Sequence, residues 1–156
     1  MLLPLNLFST LNSVQEIKHL AELRLQEANI LLSNGYPDGA YYLGGYALEL
    51  ALKAIICKNL DIEDLFADSS SHPKESIRVL KVHDLSRLLL FSGLIEKHKI
   101  EKRSNVVFST NWSNVEKWNE SARYNKGKYT TQEVQIFLNS IDDPLNGILT
   151  WLKTHW

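Results

Sequence analysis

The sequence predicts an all-α protein, and three observations indicate this class. Apolar residues recur at spacings of three and four through most of the chain, which is the period of an amphipathic helix. Residues that cap or break helices separate these periodic segments. Strand-like patterns are scarce, and only residues 105–109 (NVVFS) could be extended. We therefore predict an all-α domain of roughly five helices.

The segment Ala40 to Cys57 carries the strongest of these signals. Its sequence, AYYLGGYALELALKAIIC, is apolar on nearly every side, and its only ionised side chains are Glu49 and Lys53. A helix that is apolar all round belongs at the centre of a bundle. Lone buried charges are costly and are usually paired, so these two side chains, four residues apart, are expected to meet.

The bulk composition is that of an ordinary globular domain. The chain has 156 residues, 44% of them hydrophobic and 22% charged, with a formal net charge of −1. We expect an apolar packing arm over residues 1–12, interrupted by Pro4, and one helical domain over residues 13–156. The near-neutral charge argues against histone-like phosphate binding but still allows a local basic patch. Cys57, the only cysteine, is expected to be an inert core thiol.

Capping residues and turn signals place the first helices. Ser13 followed by Glu16 resembles a capping box, so the first helix should begin there and end at Ser33-Asn34-Gly35. The central helix should run from Pro37 to about Asn59. Asp84 is a plausible N-cap for the third helix, whose inward residues would be Leu85, Leu88 and Leu89.

The second half of the chain is harder to divide. The charged stretch 96–103 is either a frayed helix end or a solvated turn, with an RNA-binding arm as the alternative. A fourth helix is predicted over residues 112–124. Thr130 or Thr131 should cap the last helix, which we expect to continue to about Lys153 with a kink at Pro144, because apolar residues keep one phase across it.

Three segments in this order form a specific combination: GYALELALK at 45–53, VHDLSRLL at 82–89 and WNESARY at 118–124. The combination is similar to the HEPN family, the helical domains named for higher eukaryotes and prokaryotes nucleotide-binding. The resemblance runs from about Ser13 to Trp151. It implies an up-and-down bundle of four to five helices that dimerises. It also implies one of three roles: nucleotide binding, metal-independent RNA cleavage in toxin and defence systems, or non-catalytic partnership with a nucleotidyltransferase.

Six polar side chains are the candidate nucleotide-binding cleft: Glu49, Lys53, His83, Asp84, Arg123 and Tyr124. In this interpretation the two cations contact phosphate, the histidine and aspartate hydrogen-bond polar groups of the ligand, and the tyrosine supplies a stacking surface. Lys126 and Lys128 would extend a basic lip around Arg123.

Each of these residues also has a structural interpretation. The Glu49–Lys53 pair could set the register of the central helix, and Asp84 could simply cap the third helix. Arg123 could pair with Glu49. Both interpretations stay open at the level of sequence.

RNA cleavage is the alternative function. Catalytic HEPN ribonucleases carry an arginine followed, after four to six residues, by a histidine near the start of the last long helix. Arg78 and His83 have this spacing but lie before the third helix, and no histidine follows Arg123 at the expected distance. We therefore expect a nucleotide- or RNA-binding protein. The alternatives are an endoribonuclease using Arg78 or Arg123 with His83, and a structural partner of a nucleotidyltransferase.

The remaining expectations concern cofactors, partners and location. The histidines lack close ligand spacing, and no phosphate-binding glycine motif occurs, so no metal or cofactor is expected. The apolar run from Ala40 falls short of a clean membrane span. We expect a cytoplasmic homodimer without a membrane segment, possible partners being RNA, a nucleotidyltransferase or an antitoxin.

Overall fold

The computed structural model describes residues 13–67 and 70–156, so the predicted arm at 1–12 lies outside the described residues. Helices and loops make up these ranges, and the predicted all-α bundle is confirmed. The α-helices are α1 (Val14–Ser33), α2 (Pro37–Leu60), α3 (Lys74–Arg78), α4 (Leu85–Phe91), α5 (Ile95–Ser104), α6 (Val106–Val115), α7 (Thr131–Asp142) and α8 (Ile148–Lys153). A 3₁₀ helix, Glu120–Tyr124, lies between α6 and α7.

The first two helices form an antiparallel pair with the predicted ends. The Ser13 hydroxyl accepts a hydrogen bond from the Glu16 amide at 3.2 Å, as expected for an N-cap. Gly35 adopts a left-handed φ of +83° directly after α1, a conformation that glycine reaches without strain. Pro37 then occupies the first turn of α2, where its missing amide proton costs nothing.

Helix α2 is the centre of the bundle. Thirteen of its 24 residues are buried. Helices α1, α4, α7 and α8 and the 3₁₀ helix all pack against it. The whole of α2 is long and apolar enough to cross a membrane, although the run from Ala40 alone falls short of a span. Most of its apolar stretch is buried inside the fold, as in a core helix.

Two adjacent glycines let neighbouring helices approach α2 closely. The indole of Trp118 lies directly on Gly45, where an added Cβ would come within 2.3 Å of ring atoms. At Gly44 the nearest atom to an added Cβ would be a terminal methyl of Leu138, at 2.6 Å. The ring of a buried tryptophan cannot move aside, whereas the end of a leucine side chain can.

The charged stretch 96–103 is neither a frayed end nor a turn, because it forms most of α5. One residue anchors this helix: His98 is buried, with its ring 4.3 Å from that of Trp112. Burial, assisted by the charge of Lys102, lowers the pKa of His98 to about 4, so this histidine is a neutral core residue. It is therefore not part of a basic RNA-binding surface.

The predicted fourth helix is also wrong in its bounds. Residues 106–109 are helical rather than extended, because Asn105, itself extended, caps α6 by accepting the Phe108 amide at 3.0 Å. Helix α6 ends at Val115, and the chain then turns so that the Trp118 side chain can cover Gly45. The 3₁₀ helix follows this turn, which splits the segment predicted as one helix.

The last helix is broken at Pro144 rather than kinked. Thr130 and Glu133 form the capping box of α7, but this helix ends at Asp142. An Asp143 carboxylate oxygen accepts the amides of Leu145 and Asn146, at 2.9 and 2.6 Å, and so closes a turn around the proline. Leu145 is consequently 86% exposed, although its helical spacing from the buried Ile141 predicts that it faces the core. These breaks, with the short α3, raise the number of helices above the predicted four to five.

We predict that Gly45→Ala is more destabilising than Gly44→Ala. Alanine gains about 1 kcal/mol of helix propensity at either position. At position 45 this gain is outweighed by overpacking against Trp118, with an expected net loss of about 2 kcal/mol. Gly44→Ala should be close to neutral. Urea unfolding of the two variants measures the difference, and equal losses would contradict the rigid contact between Trp118 and α2.

Candidate functional site

Glu49, Lys53 and His83 meet in one place, here called the Glu49 cluster. The Glu49 side chain is only 1% exposed. Its Oε1 accepts the Lys53 ammonium at 2.6 Å and lies 2.9 Å from His83 Nδ1. The lysine side chain is 12% exposed and the imidazole 45% exposed. The structure thus brings three of the six predicted site residues together, with the histidine at the surface and the carboxylate beneath it.

Two helices position the Glu49 cluster. Glu49 and Lys53 lie one turn apart on α2, the spacing at which helical side chains meet. His83 directly precedes Asp84, whose carboxylate accepts the Arg87 amide at 2.8 Å and so caps α4. Because α4 packs against α2, this cap holds His83 over the central helix. Asp84 thus acts as the N-cap that one of its two interpretations assigned to it.

The cluster leaves an unused acceptor inside the protein. Glu49 Oε2 is buried and has no hydrogen-bond partner among the described residues. Burial first, and then the negative charge of Glu49, raise the pKa of the neighbouring Tyr46 phenol. Lys53 and His83 both bond to Oε1 of Glu49. When His83 donates to this oxygen from Nδ1, its Nε2 is left as an acceptor.

The two predicted arginines do not join this cluster. Arg123 lies exposed on the 3₁₀ helix, with its guanidinium 5.0 Å from the ring centre of Tyr124. Tyr124 is 77% exposed. Arg78 is exposed at the end of α3. Within residues 13–67 and 70–156, neither arginine makes an ion pair with Glu49 or a hydrogen bond to His83.

A cavity of about 450 Å³, here called the Tyr41 cavity, lies beside the 3₁₀ helix. Its apolar wall includes Tyr41, Tyr129 and Phe137. The rings of Tyr41 and Tyr129 stack with centres 4.1 Å apart, and the Phe137 ring lies 4.3 Å from that of Tyr41. Burial and a hydrogen bond with Tyr129 raise the pKa of Tyr41, so this phenol stays neutral.

The polar wall of the cavity combines amides with charges. Lys117 and Lys128 stand on it with Glu133, and neither lysine forms an ion pair in the described part of the chain. The uncharged polar residues of the wall are Asn114, Asn119, Ser121 and Asn125. Such a mixture of aromatic rings, amides and free cations suits a planar ligand that carries negative charge.

Asp38 fixes one lip of the cavity from the first turn of α2. Its carboxylate accepts the backbone amides of Gly127, Lys128 and Tyr129, the last at 3.0 Å. Three backbone amides that donate to one carboxylate hold this loop against the central helix. In the sequence Asp38 marks only the start of a helix, because its three partners lie about 90 residues further along the chain.

The two sites occupy neighbouring faces of α2. Tyr41 precedes Glu49 by eight residues, which is about 12 Å along the helix and about 80° around it. The Tyr42 ring lies 6.3 Å from that of Trp118 and 6.1 Å from that of Tyr46. The six predicted residues therefore do not share one pocket: three form the Glu49 cluster, Asp84 caps α4, and the last two lie on the 3₁₀ helix.

Comparison of the chain with protein-family models, with curated proteins and with solved structures finds no match. Within the described ranges, no three His, Cys, Asp or Glu side chains are grouped as metal ligands.

We predict that the Glu49–Lys53 pair is strongly coupled energetically. Glu49→Leu strips a nearly buried ammonium of its carboxylate, and Lys53→Met leaves a buried carboxylate with His83 alone. Each change should cost about 3 kcal/mol of unfolding free energy. The double variant should lose clearly less than the sum, because no unpaired charge is left. Urea denaturation of the four proteins measures this coupling, and additive losses would show that the pair is not a unit.

Proposed function

We propose that this chain is an HEPN-like protein that binds a nucleotide or a short single-stranded RNA segment at the Tyr41 cavity. The observation that carries the proposal is the combination of an aromatic wall and two unpaired lysines around about 450 Å³. This volume falls in the range of small-molecule sites, about 300–1,000 Å³. The resemblance of the three sequence segments to HEPN domains supports the same class of ligand.

Each part of a nucleotide has a suitable counterpart in the cavity. A base can stack on the aromatic wall formed with Tyr41 and Tyr129, an interaction that every base can make through its π-face. Lys117 and Lys128 can neutralise a phosphate. The asparagine amides can hydrogen-bond the edge of a base. The net charge of −1 makes such local cations necessary for attracting an anion.

The basic lip predicted from the sequence extends this proposed site outward. Arg123 and Lys126 are exposed near the cavity and could contact phosphates on either side of a bound nucleotide. Tyr124, with its exposed ring, could stack on a neighbouring base of an RNA strand. In this view Arg123 and Tyr124 serve a strand that passes over the cavity.

Membership of the HEPN family, the homodimer, the cytoplasmic location and the partnership with a nucleotidyltransferase or an antitoxin stay predictions. The cytoplasmic location rests on the hydropathy of the sequence, and the other predictions rest on the sequence resemblance.

We predict that Lys117→Ala and Lys128→Ala each weaken binding of nucleoside monophosphates about tenfold, the loss of one charge-assisted contact to phosphate. Lys74→Ala is the control, since it removes the same charge from an exposed position on α3 that does not line the cavity. Isothermal titration with AMP, GMP, CMP and UMP measures the affinities. No saturable binding, or equal losses in all three variants, would contradict the proposed site.

RNA cleavage is a second candidate, favoured by the contact between Glu49 and His83. A carboxylate bonded to Nδ1 orients the imidazole and leaves Nε2 as a base, as in other carboxylate–histidine pairs. RNA supplies its own nucleophile. His83 Nε2 would take the proton of a ribose 2′-hydroxyl while that oxygen attacks phosphorus and the bond to the 5′-oxygen breaks. The departing 5′-oxygen takes up a proton, leaving a 2′,3′-cyclic phosphate and a 5′-hydroxyl.

For this candidate we predict that the protein cleaves single-stranded RNA in the presence of EDTA and that His83→Gln lowers the rate at least about 100-fold. His19→Gln, which changes an exposed histidine on α1, should leave the rate unchanged. Gel analysis with detection of cyclic phosphate ends measures the cleavage rates of the wild-type protein and of the two variants. Cleavage that survives in His83→Gln would exclude this mechanism.

A further inference from the structure

We infer that Glu133 makes the Tyr41 cavity selective for ribose over 2′-deoxyribose, an inference that rests on the proposed function. Among the described residues that line the cavity, Glu133 is the one carboxylate, and Lys117 and Lys128 line the same cavity. The wall thus offers two cations and one anion, and a ligand with both an anionic end and hydroxyl groups would be oriented by them.

The Glu133 side chain is held in one position. Its Oε2 accepts hydrogen bonds from the Thr130 amide and the Thr130 hydroxyl, both at 2.8 Å. The Glu133 amide in turn donates to the Thr130 hydroxyl at 3.2 Å, which completes the capping box of α7. All of these side-chain bonds use Oε2, so Oε1 remains as an acceptor on a carboxylate that is already oriented.

Other polar groups on the wall already form hydrogen bonds within the protein. Asn114 Nδ2 donates to the Ser140 hydroxyl at 2.9 Å, and Asn119 Oδ1 accepts the Ser121 amide at 3.0 Å. The two lysines can only donate. Glu133 Oε1 is therefore the ionised acceptor that remains for a hydroxyl group of the ligand.

The chemistry of this acceptor matches a ribose. The hydrogen bonds from the backbone and hydroxyl of Thr130 lower the pKa of Glu133, so the carboxylate is ionised at neutral pH. An ionised carboxylate accepts hydrogen bonds from sugar hydroxyls, as acidic residues do at the ribose of dinucleotides, and it repels phosphate. The phosphate of a bound nucleotide should then lie towards Lys117 and Lys128, with its 2′-hydroxyl donating to Glu133. A 2′-deoxynucleotide lacks this donor.

The test compares AMP with dAMP, GMP with dGMP and CMP with dCMP by isothermal titration. Wild-type protein should bind each ribonucleotide about tenfold more tightly than its 2′-deoxy counterpart, the loss expected for one charge-assisted hydrogen bond to the exposed Glu133 carboxylate. In Glu133→Gln the ratio should fall towards one. Glutamine can keep the capping box, so the fold is retained. Glu120→Gln removes a carboxylate from the adjacent 3₁₀ helix and should leave the ratio unchanged.

The outcomes separate this inference from the proposed function. Equal affinities of wild-type protein for AMP and dAMP would overturn the role of Glu133, while leaving nucleotide binding intact. A tenfold preference that persists in Glu133→Gln would overturn it as well. No binding of either nucleotide would overturn both proposals. The wild-type comparison needs no variant, so the inference can fail even if Glu133→Gln does not fold.

Discussion

A helix that is apolar on nearly every side must be surrounded by other helices, and α2 imposes this constraint on the rest of the molecule. Four α-helices and the 3₁₀ helix pack against it. They can come close because Gly44 and Gly45 leave room for Leu138 and Trp118. The turn after α6 and the 3₁₀ helix that follows are consequences of this packing, since they place the indole on α2.

The central helix also supports both candidate sites. Asp38, Tyr41 and Glu49 all belong to α2, and each contacts a segment that is distant in the chain: the loop at 127–129, Tyr129 and His83. Side chains on a buried helix have little freedom to move, which favours a preorganised site. Burying the Glu49 carboxylate costs free energy, and the hydrogen bonds from Lys53 and His83 to its Oε1 offset part of that cost.

The two sites differ in what they can do chemically. The Tyr41 cavity has volume, aromatic surface and free cations, which are the requirements of a binding site. The Glu49 cluster has an oriented and accessible imidazole, which is the requirement of proton transfer.

The sequence by itself determined the features that depend on neighbouring residues. The all-α class and the caps at Ser13, Asp84 and Thr130 are local, and so is the contact between Glu49 and Lys53 one helical turn away. Only the tertiary structure decided the rest. The break at Pro144 depends on Asp143 binding two amides, and helical periodicity does not report that competition. The Tyr41 cavity joins α2 to residues 114–137, and contacts between segments so far apart are set by how the helices pack around α2.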